Sequence, residues 1–190
     1  MSKINRTIAF IIFLFMINPG SNLSASLANE FSRLDWIWPA DGTISDTYGT
    51  RSGKHAGVDV AAAINTPIYA VSSGVVTKSY YSTTYGNVVF IKHEEGYETV
   101  YAHLQKRLVA EGERVDQGQV IGTMGSTGKS SGPHLHFEIH KDAWTVHKEN
   151  AIDPFLIFGQ ADVGTMVFAR KRSVEEIKEV MKREQAKSGE

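Results

Sequence analysis

Three stretches of the chain place histidines at spacings that could serve a reaction. In His55-Ala56-Gly57-Val58-Asp59 an imidazole and a carboxylate stand four residues apart. They can meet if the backbone bends, which Gly57 allows. In His134-Leu135-His136-Phe137-Glu138-Ile139 the strand period of two sends His134 and His136 to one face and Leu135 and Phe137 to the other. One of the two imidazoles could ligate a metal while the other stands beside it. In Tyr101-Ala102-His103-Leu104 a histidine closes a strand-like run, on the face shared by Tyr97, Thr99 and Tyr101. Each feature alone is weak, because an isolated His-x-His or an Asp four residues after a His arises by accident. Their combination suits zinc. A catalytic zinc takes three ligands from His and carboxylate and keeps a position for water or substrate. It lowers the pKa of that water toward about 7 and polarises a carbonyl oxygen. His55, Asp59 and His136 would supply two neutral nitrogens and one negative oxygen. His103 and His134 would remain nearby, one to accept the water proton and the other to hydrogen-bond a developing oxyanion.

These groups need a scaffold that brings distant segments together. Between about Trp36 and Phe158 the chain reads as short strands rich in Val, Ile, Tyr and Phe, punctuated by glycine. The predicted strands are Pro67–Ser72, Gly74–Tyr81, Asn87–His93, Tyr97–His103, Gln119–Thr123 and His134–His140. Glu94-Glu95-Gly96 suits a three-residue hairpin loop. No long amphipathic helix interrupts this stretch, so the expected fold is all-β, an antiparallel sandwich or open barrel. Gly122 to Pro133 contains Gly128-Lys129-Ser130, but a phosphate-binding loop needs glycine where Thr123 stands and a helix afterwards. The segment reads instead as a turn-rich loop delivering His134 and His136. His93, His140 and His147 are expected to be structural or surface residues. His140 should lie at least about 13 Å along the strand from His136, outside the same metal shell.

The ends differ from the middle. Lys3 and Arg6 precede ten unbroken apolar residues, Ile8 to Ile17, then Asn18-Pro19-Gly20 and the small-residue site Ser26-Leu27-Ala28. This is the layout of a secretory signal peptide over residues 1–28. A ten-residue helix rises only about 15 Å against a hydrocarbon core of about 30 Å, which disfavours an uncleaved anchor. Residues 29–40 form a short lead-in, 41–158 the strand-rich domain that carries the histidines, and 159–190 a charged helical tail. In that tail Ser173 and Glu176 form a capping box, and Val174, Ile177, Val180 and Met181 share one helical stripe. A short C-terminal helix is predicted there, either a solvated tail or a docking element for an envelope partner. Composition excludes other classes. Lysine and arginine number 20 against 21 acidic residues, which offers no basic surplus for nucleic acid. The absence of cysteine removes thiol catalysis, disulfide frameworks and a cysteine-linked lipid anchor.

Taken in order, the motifs resemble the M23 (lysostaphin or LytM type) zinc metallopeptidases. The set comprises Tyr48-Gly49-x-Arg51, His55-x-x-x-Asp59, Thr66-Pro67-Ile68, Gly86-Asn87-Val88-Val89-x-Ile91-x-His93 and Tyr101-Ala102-His103-Leu104. It continues with Gly118-Gln119-x-Ile121-Gly122, Gly125-Ser126-Thr127-Gly128 and Gly132-Pro133-His134-Leu135-His136-Phe137-Glu138. The likeness spans about residues 36–158. It implies a duplicated hybrid-motif β fold with a groove, zinc ligands His55, Asp59 and His136, and catalytic histidines His103 and His134. It further implies an endopeptidase that cleaves cross-links or stem peptides of peptidoglycan; the signal peptide adds export to the periplasm or cell wall, and a monomer is expected. Two alternatives follow from the same likeness: a silent activator of another wall hydrolase, or a hydrolase serving a secretion or conjugation machine. A phosphocarrier of related fold is disfavoured by the signal peptide and by Asp59, whose charge would repel a phosphoryl group unless a metal were bound.

Overall fold

The computed structural model describes residues 34–169. The chain divides into two units, Met1–Leu34 and Asp35–Glu190, and the following account concerns the second. The signal peptide and the C-terminal helix expected from sequence lie outside the described residues. Among the described residues eleven strands form one antiparallel sheet: β1 (Gly42–Asp46), β2 (Val58–Ala61), β3 (Pro67–Tyr69), β4 (Gly74–Ser82), β5 (Gly86–His93), β6 (Tyr97–Arg107), β7 (Arg114–Val115), β8 (Val120–Met124), β9 (His134–Lys141), β10 (Ala151–Ile152) and β11 (Met166–Val167). The main path runs β11-β1-β2-β9-β6-β5-β4-β7, with β10 on β9, β8 on β6 and β3 on β8. Among the described residues two single turns, α1 (Thr50–Gly53) and α2 (Phe155–Phe158), complete the regular structure. The all-β antiparallel expectation holds, and the sheet is open. The Glu94-Glu95-Gly96 hairpin forms as its spacing suggests, with Gly96 at φ 87°.

Strand β9 organises the molecule because its two faces obey different rules. Leu135, Phe137 and Ile139 are completely buried on one face, where Phe137 packs against Tyr101 of β6 at 5.3 Å between ring centroids. Burial of each such side chain stabilises by roughly 1.5–3 kcal/mol. The other face carries His134, His136, Glu138 and His140, and β2 and β6 lie on either side of it. Beside the polar row, Val88, Phe90, Val100 and Ala102 form an apolar cluster against which Tyr85 and Trp144 pack.

Two strands that position the site were not read from sequence. β1 and β2 pair with each other, and β2 pairs with β9 so that Asp59 lies opposite His136 and Ala61 opposite His134. Gly57 thus does something other than permit a bend. A Cβ there would lie 2.2 Å from the Phe137 carbonyl oxygen, so glycine lets β2 approach β9 closely enough to pair. Residues 159–169 also return to the sheet, through the pairing of β11 with β1.

Candidate metal and catalytic centre

His55, Asp59 and His136 each offer a ligand atom within 4.8 Å of the others, and all three are buried. His55 Nε2 lies 3.0 Å from Asp59 Oδ1 and 3.1 Å from His136 Nδ1, while His136 Nδ1 lies 2.7 Å from Asp59 Oδ1. Each donor is oriented from behind. His55 donates from Nδ1 to the Thr47 carbonyl (2.7 Å), leaving Nε2 toward the cluster. The Arg51 guanidinium holds the second Asp59 oxygen at 2.6 Å and also pairs with Asp46 (2.7 Å). Arg51 and Ser52 in α1 adopt left-handed backbone angles, φ 57° and 60°, unusual for side chains with a Cβ. His136 donates from Nε2 to Glu138 Oε1 (2.8 Å), leaving Nδ1 toward the cluster. Two imidazole nitrogens and one carboxylate oxygen, each with its far side anchored, are the donor set that a borderline divalent cation such as zinc prefers. The residues therefore fit the metal that the sequence motifs imply.

His103 reaches the centre by an irregularity. In β6, Ala102 pairs with His136 of β9, but from Leu104 onward the strand pairs with Met124 and its neighbours in β8. His103 sits at this change of partner with φ 60°. Regular alternation would have placed it with Tyr97, Thr99 and Tyr101, on the face where Tyr101 packs against Phe137, as the sequence suggested. The left-handed residue turns it to the opposite side, where its ring centroid lies 4.8 Å from that of His134 and 6.0 Å from that of His136. His103 donates from Nδ1 to the Thr127 carbonyl (2.8 Å), and His134 from Nδ1 to the Gly132 carbonyl (2.8 Å). Both keep Nε2 unengaged by these bonds, and His134 Nε2 lies 3.9 Å from Asp59 Oδ2. The Gly122–Pro133 segment thus acts as a holder for both rings. It is seated by the Thr127 hydroxyl on the Leu104 carbonyl (2.8 Å) and by the Lys129 amide on the Thr84 carbonyl (2.8 Å).

Electrostatics separate the histidines. Burial, aided by the neighbouring His134 and His136, pushes His103 down to about 4, so it is neutral at neutral pH. Burial opposes charge on His136 as well. Its hydrogen bonds to Asp59 and Glu138 and their negative charge outweigh that cost and raise it to about 9 in the metal-free protein. Burial likewise opposes ionisation of Asp59, but its close contacts with the His136 and His55 rings hold it well below the usual carboxylate range.

Behind His136 stands a group to which sequence reading gave no role. Glu138 is fully buried and accepts from His136 and the Tyr85 hydroxyl (2.7 Å) at Oε1 and from His140 Nε2 (2.8 Å) at Oε2. Lys148 also pairs with Oε1. His140 is therefore outside the metal cluster yet tied to it through one carboxylate. The signal was available, since Glu138 and His140 continue the two-residue period of His134 and His136.

The profile of Peptidase family M23 matches residues 53–154, more than half of the chain, and the protein belongs to that family. Over 102 residues it is 52% identical to the peptidoglycan DD-endopeptidase ShyC of Vibrio cholerae, covering 51% of this chain and 24% of that protein. It is 43% identical over 105 residues to the murein hydrolase activator NlpD of Escherichia coli, covering 55% of this chain and 27% of that protein. Among solved structures, a zinc-containing peptidase from Vibrio cholerae superposes with a TM-score of 0.55 at 31% identity, covering 67% of this chain and 39% of that one. The chain thus matches only about a quarter of the length of these two curated relatives.

Proposed function

We propose that the protein is an exported zinc endopeptidase that hydrolyses peptide bonds in the cross-links or stem peptides of bacterial peptidoglycan. The observation that carries this reading is the convergence of five side chains from three segments: His55, Asp59 and His136 with their donor atoms within 4.8 Å, and the His103 and His134 rings beside them. Similarity to a peptidoglycan endopeptidase supports the substrate class.

His55 Nε2, Asp59 Oδ1 and His136 Nδ1 would hold the zinc, which when bound supplies Lewis-acid polarisation of the scissile carbonyl and acidifies a water. The remaining steps fall to the chain itself. His103 is neutral at physiological pH, and its Nδ1 proton is committed to Thr127, which leaves its Nε2 lone pair able to accept a proton from the attacking water. His134, oriented by Gly132, offers the second imidazole to the oxyanion or to the leaving amine. The shallow groove beside Asp59 and His134 is lined by Ser45, Arg51, Ser131 and Pro133, which suits an extended peptide. Residues 1–28 would direct export to the periplasm and be removed. Residues 170–190 would be either a solvated tail or a contact for an envelope partner.

The likeness to a murein hydrolase activator favours one second reading, regulation of another hydrolase without cleavage. The full set of five groups argues for catalysis. Incubating the purified protein with peptidoglycan sacculi and analysing released fragments by mass spectrometry separates the two. Peptide-cleaved muropeptides, absent with His136→Ala, are expected. Zinc-loaded protein that releases nothing alone but stimulates an amidase would overturn the proposal.

A further inference from the structure

Glu138 is a completely buried carboxylate that no step of the proposed reaction uses. It has four polar partners, three on Oε1, His136, Tyr85 and Lys148, and one on Oε2, His140. The partners come from three places. His136 and His140 flank it on β9, Tyr85 sits in the turn before β5, and Lys148 belongs to the loop between β9 and β10. That loop is tied in at further points. Trp144 Nε1 donates to the Tyr85 hydroxyl (3.2 Å), and the Lys148 ammonium lies 4.9 Å from the centre of the Tyr85 ring. The Lys148 side chain is 28% exposed, whereas Glu138 is wholly enclosed.

Three facts narrow what this arrangement does. An imidazole that presents Nδ1 to a metal as a neutral ligand must carry its proton on Nε2, and the Glu138 carboxylate accepts that proton's hydrogen bond. A buried carboxylate stays ionised only with a compensating cation, and with His136 neutral the cation in contact is Lys148. His140 donates from Nε2, and its Nδ1 has no hydrogen-bond partner among the described residues, which fits a neutral ring contributing no charge. We infer that Glu138 is a positioning residue that locks His136 in the metal-binding tautomer, and that Lys148 from the β9–β10 loop is the cation that keeps Glu138 ionised. This inference rests on the zinc reading above. It makes the loop, rather than the ligands alone, a determinant of metal affinity.

Zinc affinity of the full chain, measured by competition with a chromophoric chelator, tests it for wild type, Glu138→Gln and Lys148→Met. Both substitutions are expected to weaken zinc binding by about 10–100-fold, the range typical of groups that hold a ligand from behind. The Glu138→Gln amide can donate to Nε2, so nitrogen-15 shifts of the metal-free protein, recorded above pH 9 where the His136 ring is neutral, should show the proton moved to Nδ1. A merely structural role would lower thermal stability and leave this signature unchanged. If Glu138→Gln does not fold, Lys148→Met decides by the same affinity criterion. Variants that bind zinc within twofold of wild type, with His136 still protonated on Nε2, would overturn the inference while leaving the zinc reading intact. Wild type that takes up no zinc would instead sink the zinc reading and this inference with it.

Discussion

His93 and His136 are both buried histidines on strands of one sheet, yet their surroundings differ in kind. His93 donates from Nδ1 to the Ser73 carbonyl (3.0 Å), and its Nε2 lies 2.8 Å from the Thr99 hydroxyl. The Tyr101 hydroxyl, 3.1 Å from that of Thr99, accepts from the Val71 amide (3.1 Å). Every partner is neutral, and burial depresses the His93 pKa. His136 has a carboxylate at each ring nitrogen, Asp59 at 2.7 Å and Glu138 at 2.8 Å, which raise its pKa against the same burial. Burial of a histidine therefore does not by itself mark a site. What distinguishes the two is charge that the protein gathers at a desolvation cost. In the first case a closed chain of neutral groups satisfies the ring. In the second, carboxylates converge on a point that a cation can share.

The largest contrast should come from removing each ring in turn. His136→Ala is expected to abolish zinc uptake and muropeptide release together. His93→Leu should leave zinc stoichiometry unchanged and cost about 1–3 kcal/mol of stability, because the Ser73 carbonyl loses its donor. Denaturant melts beside zinc analysis would read both, and zinc loss in His93→Leu would erase the distinction. A smaller effect is expected from Gly57→Ala. The added methyl meets the Phe137 carbonyl and must push β2 away from β9, costing about 1–3 kcal/mol and separating Asp59 from His136. Zinc affinity should fall with no ligand altered, and unchanged affinity would show that the β2–β9 approach does not position Asp59.

The subtlest effect is the pH dependence of stability in the metal-free protein. His103 titrates near 6.5 unfolded and about 4 folded, so between those values the unfolded chain takes up a proton that the native state refuses. Stability should therefore decline as pH falls from about 6.5 to 4. His136 is raised to about 9, so its contribution is complete below about 6.5 and is lost as pH rises through 9. Thermal melts in chelator should show a maximum near pH 6.5. His103→Asn, which tolerates the left-handed backbone, should flatten the acid limb. An acid limb unchanged by that substitution would contradict the pKa assignment.

Much of the site was legible because β-strand alternation is a short-range code. His134, His136, Glu138 and His140 read directly onto one face of β9, and the hairpin after His93 announced itself through Glu94-Glu95-Gly96. What stayed hidden depended on tertiary context. Val58–Ala61 is too short, with a buried aspartate in its middle, to stand out as a strand, and only its pairing with β9 explains Asp59. The face of His103 was misjudged because a single left-handed residue reverses alternation, and histidine gives no sign of that in sequence. The union of Tyr85, Glu138 and Lys148 joins residues up to 63 positions apart and leaves no periodic trace.

The central claim is a division of labour: His55, Asp59 and His136 hold the metal, while His103 moves the proton. Zinc content and peptidoglycan cleavage measured on one preparation of His103→Asn test it most directly. One zinc per chain with cleavage reduced by about 10²–10⁴-fold is the expected result. Loss of the zinc, or cleavage at the wild-type rate, would contradict it.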